Sequence, residues 1–205
     1  MRRVLVLFAH PVLERSRVNR RMLGAIRDLP GVTIHDLYEA YPTLGIDVAR
    51  EQELLVEHDV VVFQHPFYWY STPAILKEWQ DLVLEHGWAY GPSGTKLHGK
   101  ITLNAISTGG PAIAYQREGY NRFTVRELLA PWEQTAHLCG MRFLAPFVVH
   151  AALRIVGDDD LGARRDAYRR LIEGLRDERF DLDRAERAHN LADELDGLFA
   201  SAVVA

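Results

Sequence analysis

Three stretches of this 205-residue chain hold residue types that can do chemistry. The first, His10-Pro11-Val12-Leu13-Glu14-Arg15-Ser16-Arg17-Val18-Asn19, passes from an apolar run into a helical pattern. It offers a hydroxyl at Ser16, an amide at Asn19, and arginines at Arg15, Arg17 and Arg20. A helix start leaves backbone N–H groups unpaired at the positive end of the dipole, so this loop has the parts to hold a phosphate. The plainer alternative is that Ser16 is an ordinary N-cap and the arginines a solvated face. The loop lacks both GxGxxG and GxxxxGK[ST], which removes the dinucleotide and P-loop fingerprints. The second stretch, His65-Pro66-Phe67-Tyr68-Trp69-Tyr70-Ser71-Thr72-Pro73, places four consecutive aromatics between a strand end and a helix start. Phe67, Tyr68, Trp69 and Tyr70 cannot all face one core, so some cover a flat ligand or a subunit interface. The third, Ser107-Thr108-Gly109-Gly110-Pro111, is a turn whose two glycines allow backbone to approach a ligand closely, and Tyr115 follows. A turn without a ligand is the alternative there.

Other reactive residue types read as structural. The nine histidines show no HxH, HxxxH or HExxH spacing, so no metal site is expected. Cys139, the single cysteine, reads as core and cannot form an internal disulfide, which fits a reducing cytoplasm. Asp158-Asp159-Asp160 begins a helix and complements its dipole, with no calcium loop around it.

These loops need a scaffold, and the patterning describes one. Val4-Leu5-Val6-Leu7-Phe8 and Val60-Val61-Val62-Phe63 are continuous β-forming apolar runs, as in parallel strands covered on both faces. Val32-Thr33-Ile34-His35 is half polar and suits an edge strand; residues 101–107 and about 143–150 supply the fourth and fifth strands. Helical spacing covers residues 16–29, 47–58, about 123–138 and 158–176. Another helix starts at Thr72 as N-cap with Pro73 in its first turn, and buries Ile75, Leu76, Trp79, Leu82 and Val83. Strands alternating with helices mean an α/β protein with a parallel sheet, in which ligands bind beyond the carboxyl ends of the strands. Residues 181–205 read as one more surface helix with Leu191, Leu195, Leu198 and Phe199 on one side.

Composition excludes other classes. At 48% hydrophobic and 25% charged the chain is neither disordered nor fibrous. A formal charge of −4 argues against nucleic acid as a partner. The longest apolar run, at residues 4–9, is too short for a membrane helix or a signal-peptide core.

Four segments together resemble a known family: the first loop with Ala9-His10-Pro11, Ser16 and Asn19; HPFYWYSTPAILKEWQD; HGWAYG with LHGK after it; and STGGP with Tyr115. They are similar to the flavodoxin-like NAD(P)H:quinone oxidoreductases, and among these to short bacterial members that are ancillary subunits of glutathione-gated potassium-efflux systems. The resemblance implies a flavodoxin-like domain over residues 1–180, a five-stranded parallel sheet of order 2-1-3-4-5 with helices on both faces, and a C-terminal helical tail from 181 to 205. It assigns the flavin phosphate to His10, Ser16, Arg17, Val18 and Asn19, and the ring system to Phe67, Tyr68, Trp69 and Tyr70. Ser107, Thr108, Gly109 and Gly110 fall at the pyrimidine end, and Tyr115 matches the family's active-site tyrosine. The expected cofactor is FMN, because the loop is sized for one phosphate and no adenosine fingerprint follows; FAD is second. NADPH or NADH is the expected co-substrate, with a quinone or similar acceptor taking its place in one pocket by ping-pong kinetics. Thr108-Gly109-Gly110 N–H groups would meet the negative charge that reduction builds. Two positions depart from the family pattern. Asn121 stands where longer members carry a histidine, so a histidine-assisted proton transfer is not carried over, and Gln80 is polar where an apolar residue is usual. The resemblance and the aromatic surplus lead to three further expectations: a homodimer, a cytoplasmic or peripheral location, and a membrane-transporter partner as the alternative role.

Overall fold

The computed structural model describes residues 1–155 and 158–199. In chain order its elements are β1 (Val4–Phe8), α1 (Arg17–Ile26), β2 (Val32–Asp36), α2 (Leu37–Ala40), α3 (Val48–Glu57), β3 (Val60–Pro66), α4 (Ala74–Val83) and β4 (Ile101–Ser107). There follow α5 (Val125–Leu128), α6 (Ala130–Leu138), β5 (Arg142–Phe143), β6 (Phe147–Val149), α7 (Asp158–Arg176), α8 (Leu182–Arg187) and α9 (Leu191–Glu194).

The strands form one parallel sheet in the order β2-β1-β3-β4-β5, with β6 also paired to β4. The continuous apolar runs are explained by two covered faces. Val4, Val6 and Phe8 of β1 pack into one apolar cluster with α1, α7 and the C-terminal segments; Leu5, Leu7 and Ala9 pack into another with α3, α4 and α6. β2 is half buried throughout, as an edge strand should be. Register aligns the carboxyl ends that carry the loops: Phe8 lies beside Gln64, Pro66 beside Ser107, and Ser107 beside Val149.

Several boundaries differ from expectation for local reasons. The fifth strand position is shared: β5 pairs with Ile101 and Thr102, β6 with Ala105 to Ser107, and between them lies Pro146, which has no N–H for a ladder. The helix expected over 123–138 divides at Leu129, where Pro131 opens α6. α5 is opened by a capping box in which Thr124 and Glu127 exchange bonds. Pro73, at ψ 147°, is itself the N-cap of α4 rather than a residue of its first turn, and Leu82 is exposed instead of buried. The tail is no single surface helix. α8, α9 and a 3-10 turn at Leu195–Leu198 place Leu191, Leu195 and Leu198 in the core, while Asn190 Oδ1 accepts from Val148 N–H at 2.8 Å. Residues 200–205 of that expectation lie outside the described residues. Among the described residues no helix is long and apolar enough to cross a membrane.

Candidate functional site

The start of α1 is fastened from three sides. Ser16 caps it, its Oγ accepting from Asn19 N–H at 3.2 Å and from Asn19 Nδ2 at 3.1 Å. Asn19 Nδ2 also donates to Ser107 Oγ at the end of β4, at 2.9 Å. The Asn19 carbonyl accepts from Gln64 Nε2 at 3.2 Å, and Gln64 Oε1 accepts from Tyr168 of α7 at 2.9 Å. This network leaves two things available. The first-turn N–H groups at Arg17 and Val18 have no intrahelical acceptor, and the buried Asn19 Oδ1 has no partner. Beside them, buried His10 accepts from Val12 N–H at Nδ1, 3.2 Å, so a neutral ring carries its proton on Nε2. Burial holds its pKa below the ordinary histidine value against the opposing pull of Glu14.

The aromatic stretch splits into a wall and a tip. Phe67 N–H donates to Ser107 O at 2.9 Å, which continues the β3–β4 ladder by one bond and buries Phe67. Tyr68 and Ser71 then bridge around a two-residue turn in which Trp69 (φ +50°) and Tyr70 (φ +62°) are both left-handed. Side chains with a Cβ cost about 1–2 kcal/mol each in that region, where Asn-Gly would be at ease. The indole at the tip is 93% exposed, and Tyr70 donates to Asn121 Oδ1 at 3.2 Å.

The glycine turn after β4 is braced by the chain after β6. Thr108 N–H donates to Val149 O at 3.0 Å, Ala152 N–H to Thr108 O at 2.8 Å, and Ala151 N–H to Gly110 O at 2.9 Å. Thr108 N–H is therefore already engaged, which corrects its expected role in meeting charge and leaves the N–H groups of Gly109 and Gly110. A Cβ on Gly109 would meet only Leu153 Cδ1, 3.9 Å away, so the turn opens on free space. A Cβ on Gly110 would press on Tyr115 Cε2 at 3.3 Å. Tyr115 is only 9% exposed, packed between Phe67 and His150, and burial raises its pKa.

These parts enclose a cleft of about 390 Å³ at the carboxyl end of the sheet. His10, Ser16, Arg17 and Val18 line one end, with Ser107 joined to it through the Asn19 amide, Phe67 and Tyr68 line one wall, and Thr108 and Gly109 the other end. Asn19 sits behind this surface, Tyr115 and Gly110 behind the turn, and Trp69 and Tyr70 on the rim. Sequence reasoning missed Ala152 and Leu153, which close the cleft, and His150 beside them. The signal was present, since this loop also follows a parallel strand at its carboxyl end. A larger depression of about 610 Å³ at Met1, Arg2 and Asp59 is polar and lies at the opposite ends of the strands.

The sequence profile of the family described as a flavodoxin-like fold matches residues 2–173. The chain belongs to this flavodoxin-like family. Three relatives give the scale of likeness. The flavodoxin-like chain is 45% identical over 176 residues to an uncharacterized NAD(P)H oxidoreductase, YrkL, of Bacillus subtilis, covering 86% of this chain and 99% of that one. It is 48% identical over 152 residues to the glutathione-regulated potassium-efflux system ancillary protein KefG of Enterobacter sp., covering 74% of this chain and 83% of that protein. General stress protein 14 of Treponema denticola, solved in complex with FMN, superposes with a TM-score of 0.79 at 37% identity, over 84% of this chain and 99% of that one. This flavodoxin-like protein is an oxidoreductase by its family.

Proposed function

We propose that the protein holds FMN in this cleft and works as an NAD(P)H:quinone oxidoreductase. One observation carries the reading: the free Arg17 and Val18 N–H groups of α1 mark one end of a cleft whose other end is a turn without a side chain at Gly109. An anion fits the first end and a planar polar edge the second. The FMN-bound relative supports the choice of cofactor, with FAD as the second candidate.

In this reading His10, Ser16, Arg17, Val18 and Asn19 hold the phosphate, the Arg17 and Val18 N–H groups donating to it. Phe67 and Tyr68 cover the ring face, with Trp69 and Tyr70 completing it at the rim. Gly109 and Gly110 fix the pyrimidine edge. Ser107, expected there too, has its hydroxyl held by Asn19 Nδ2 toward the phosphate end. Thr108 supports the turn through its hydroxyl, which donates to Gly110 O at 2.8 Å. Bound FMN would accept hydride from a nicotinamide and deliver it to the next acceptor. Tyr115 acts from behind the turn, through Thr108 and its contact with Phe67. Because one cleft serves both substrates, the kinetics are ping-pong.

The rim supports an assembly. Trp69 and Tyr120, 93% and 91% exposed, with Ile113 and Phe123, form an apolar border that a second copy would cover, roofing the cleft in a homodimer. The KefG relative favours a second reading, in which the same border docks a cytoplasmic protein onto a membrane transporter. Stopped-flow mixing separates the two roles. Rapid reduction by NAD(P)H and rapid reoxidation by a quinone support the enzyme; a bound flavin that exchanges with neither at a catalytic rate leaves the docking role.

A further inference from the structure

His150 directly follows β6, on the segment zipped to the glycine turn by the three backbone bonds at Thr108, Ala151 and Ala152. Ala151 next to it is left-handed at φ +54°. This reversal leaves His150 Nδ1 3.1 Å from Thr108 Oγ1. With the Thr108 hydroxyl proton assigned to Gly110 O at 2.8 Å, the second bond runs from His150 Nδ1–H to Oγ1. Nε2 of the neutral ring is then the atom that can take a proton. The imidazole also lies 5.5 Å from the Tyr115 ring, inclined by 40°.

The charged groups facing His150 come from two elements. Asp193 of α9 favours its cation and Arg164 of α7 opposes it, and these two pair with each other at 3.2 Å. Burial outweighs both and keeps the ring neutral more readily than an ordinary histidine. A new negative charge at the turn would therefore act on an imidazole that burial keeps neutral and ready to take up a proton. Asn121, Thr108 and the engaged backbone cannot titrate, and the Tyr115 phenol is pushed upward by its burial. Among the described residues, His150 is the imidazole hydrogen-bonded to this turn; His10 lies at the other end of the cleft.

We propose that His150 is the positioning residue of the glycine turn and its proton reservoir: Nδ1–H orients Thr108, and Nε2 takes up a proton when the bound flavin is reduced. The inference rests on the flavin reading above. The balance is simple. The electron pair arrives with hydride from NAD(P)H, the proton comes from solvent, and the positive charge on His150 offsets the negative charge left at the pyrimidine end. On reoxidation the proton is released again.

The test compares FMN-loaded wild type with His150→Asn and His150→Ala. His150→Asn keeps an amide N–H near the position of Nδ1 but cannot titrate; His150→Ala removes both. Wild type should show a flavin reduction potential whose slope against pH changes between about pH 5 and about 8, with the His150 ring titrating higher in the reduced protein by NMR. His150→Asn should bind FMN within roughly threefold of wild type and lose that change of slope, whereas His150→Ala should bind FMN roughly tenfold more weakly. A wild-type slope change retained in His150→Asn, or a His150 titration unmoved by reduction, overturns the proposal; the second measurement needs no variant. A protein that takes up no FMN at the loading step overturns the flavin reading itself, before any variant is compared.

Discussion

Glu51 shows how much a single buried side chain can organise. Its carboxylate lies fully buried among Tyr41 Oη at 2.6 Å, His35 Nε2 at 2.7 Å and Trp79 Nε1 at 2.8 Å, joining α3 to β2 and α4. Burial pushes its pKa up, but the bonds from His35, Tyr41 and Trp79 prevail and hold it below the ordinary value. Its contribution is thus present above the unfolded-chain pKa and lost as pH falls through the lower folded one. Glu51→Ala leaves these donors without an acceptor and should destabilise by about 3–5 kcal/mol in urea unfolding. His65 acts in the same direction over a higher window. Full burial lowers its pKa to about 4, against a bond from its ring to Pro66 O. The unfolded chain therefore binds a proton that the fold refuses between about pH 6.5 and about 4, and stability declines by up to about 3 kcal/mol across that window. His65→Gln should make the fall of the urea midpoint shallower there; an unchanged profile would show that His65 is not the group responsible. For the chemistry, Tyr115→Phe should lower kcat/KM about tenfold with flavin content unchanged. Wild-type rates in both half-reactions would remove the hydroxyl from the account.

The strain in the 69–70 turn belongs to the scale of elements. Trp69 and Tyr70 occupy left-handed positions that Gly accepts freely, so Tyr70→Gly should stabilise the isolated fold by about 1 kcal/mol. It also removes the bond to Asn121 and an aromatic of the rim, and FMN retention should fall. A variant that is neither more stable nor weaker in FMN binding would show that the turn stores nothing for the site. This turn also marks the limit of what could be read from residues alone. The runs at Val4 and Val60 announced buried strands because every second residue meets a different helix layer, and Ser16 announced a helix start because its hydroxyl has one obvious acceptor role there. The break at Leu129 and the divided fifth strand depend on single prolines inside otherwise continuous patterns, where tertiary pairing decides the outcome. His150 was passed over for a different reason. Its significance lies in Thr108 Oγ1, 42 residues away, and no local spacing encodes that contact.

At the scale of the whole molecule, sheet order brings four separate loops to one end, and the site exists only there. β1, β3, β4 and β6 end side by side because their pairings are parallel and in step. Among the described residues, nothing covers the apolar border around that end. Light scattering of the flavin-loaded protein at micromolar concentration should give twice the 23.3 kDa chain mass, and a mass of one chain would contradict the dimer. The central claim, that this cleft is a flavin site, has a more direct test. The purified protein, as isolated or after incubation with FMN, should show visible flavin absorption, and heating should release FMN equimolar with the chain. A colourless protein that leaves added FMN free in solution would contradict the claim.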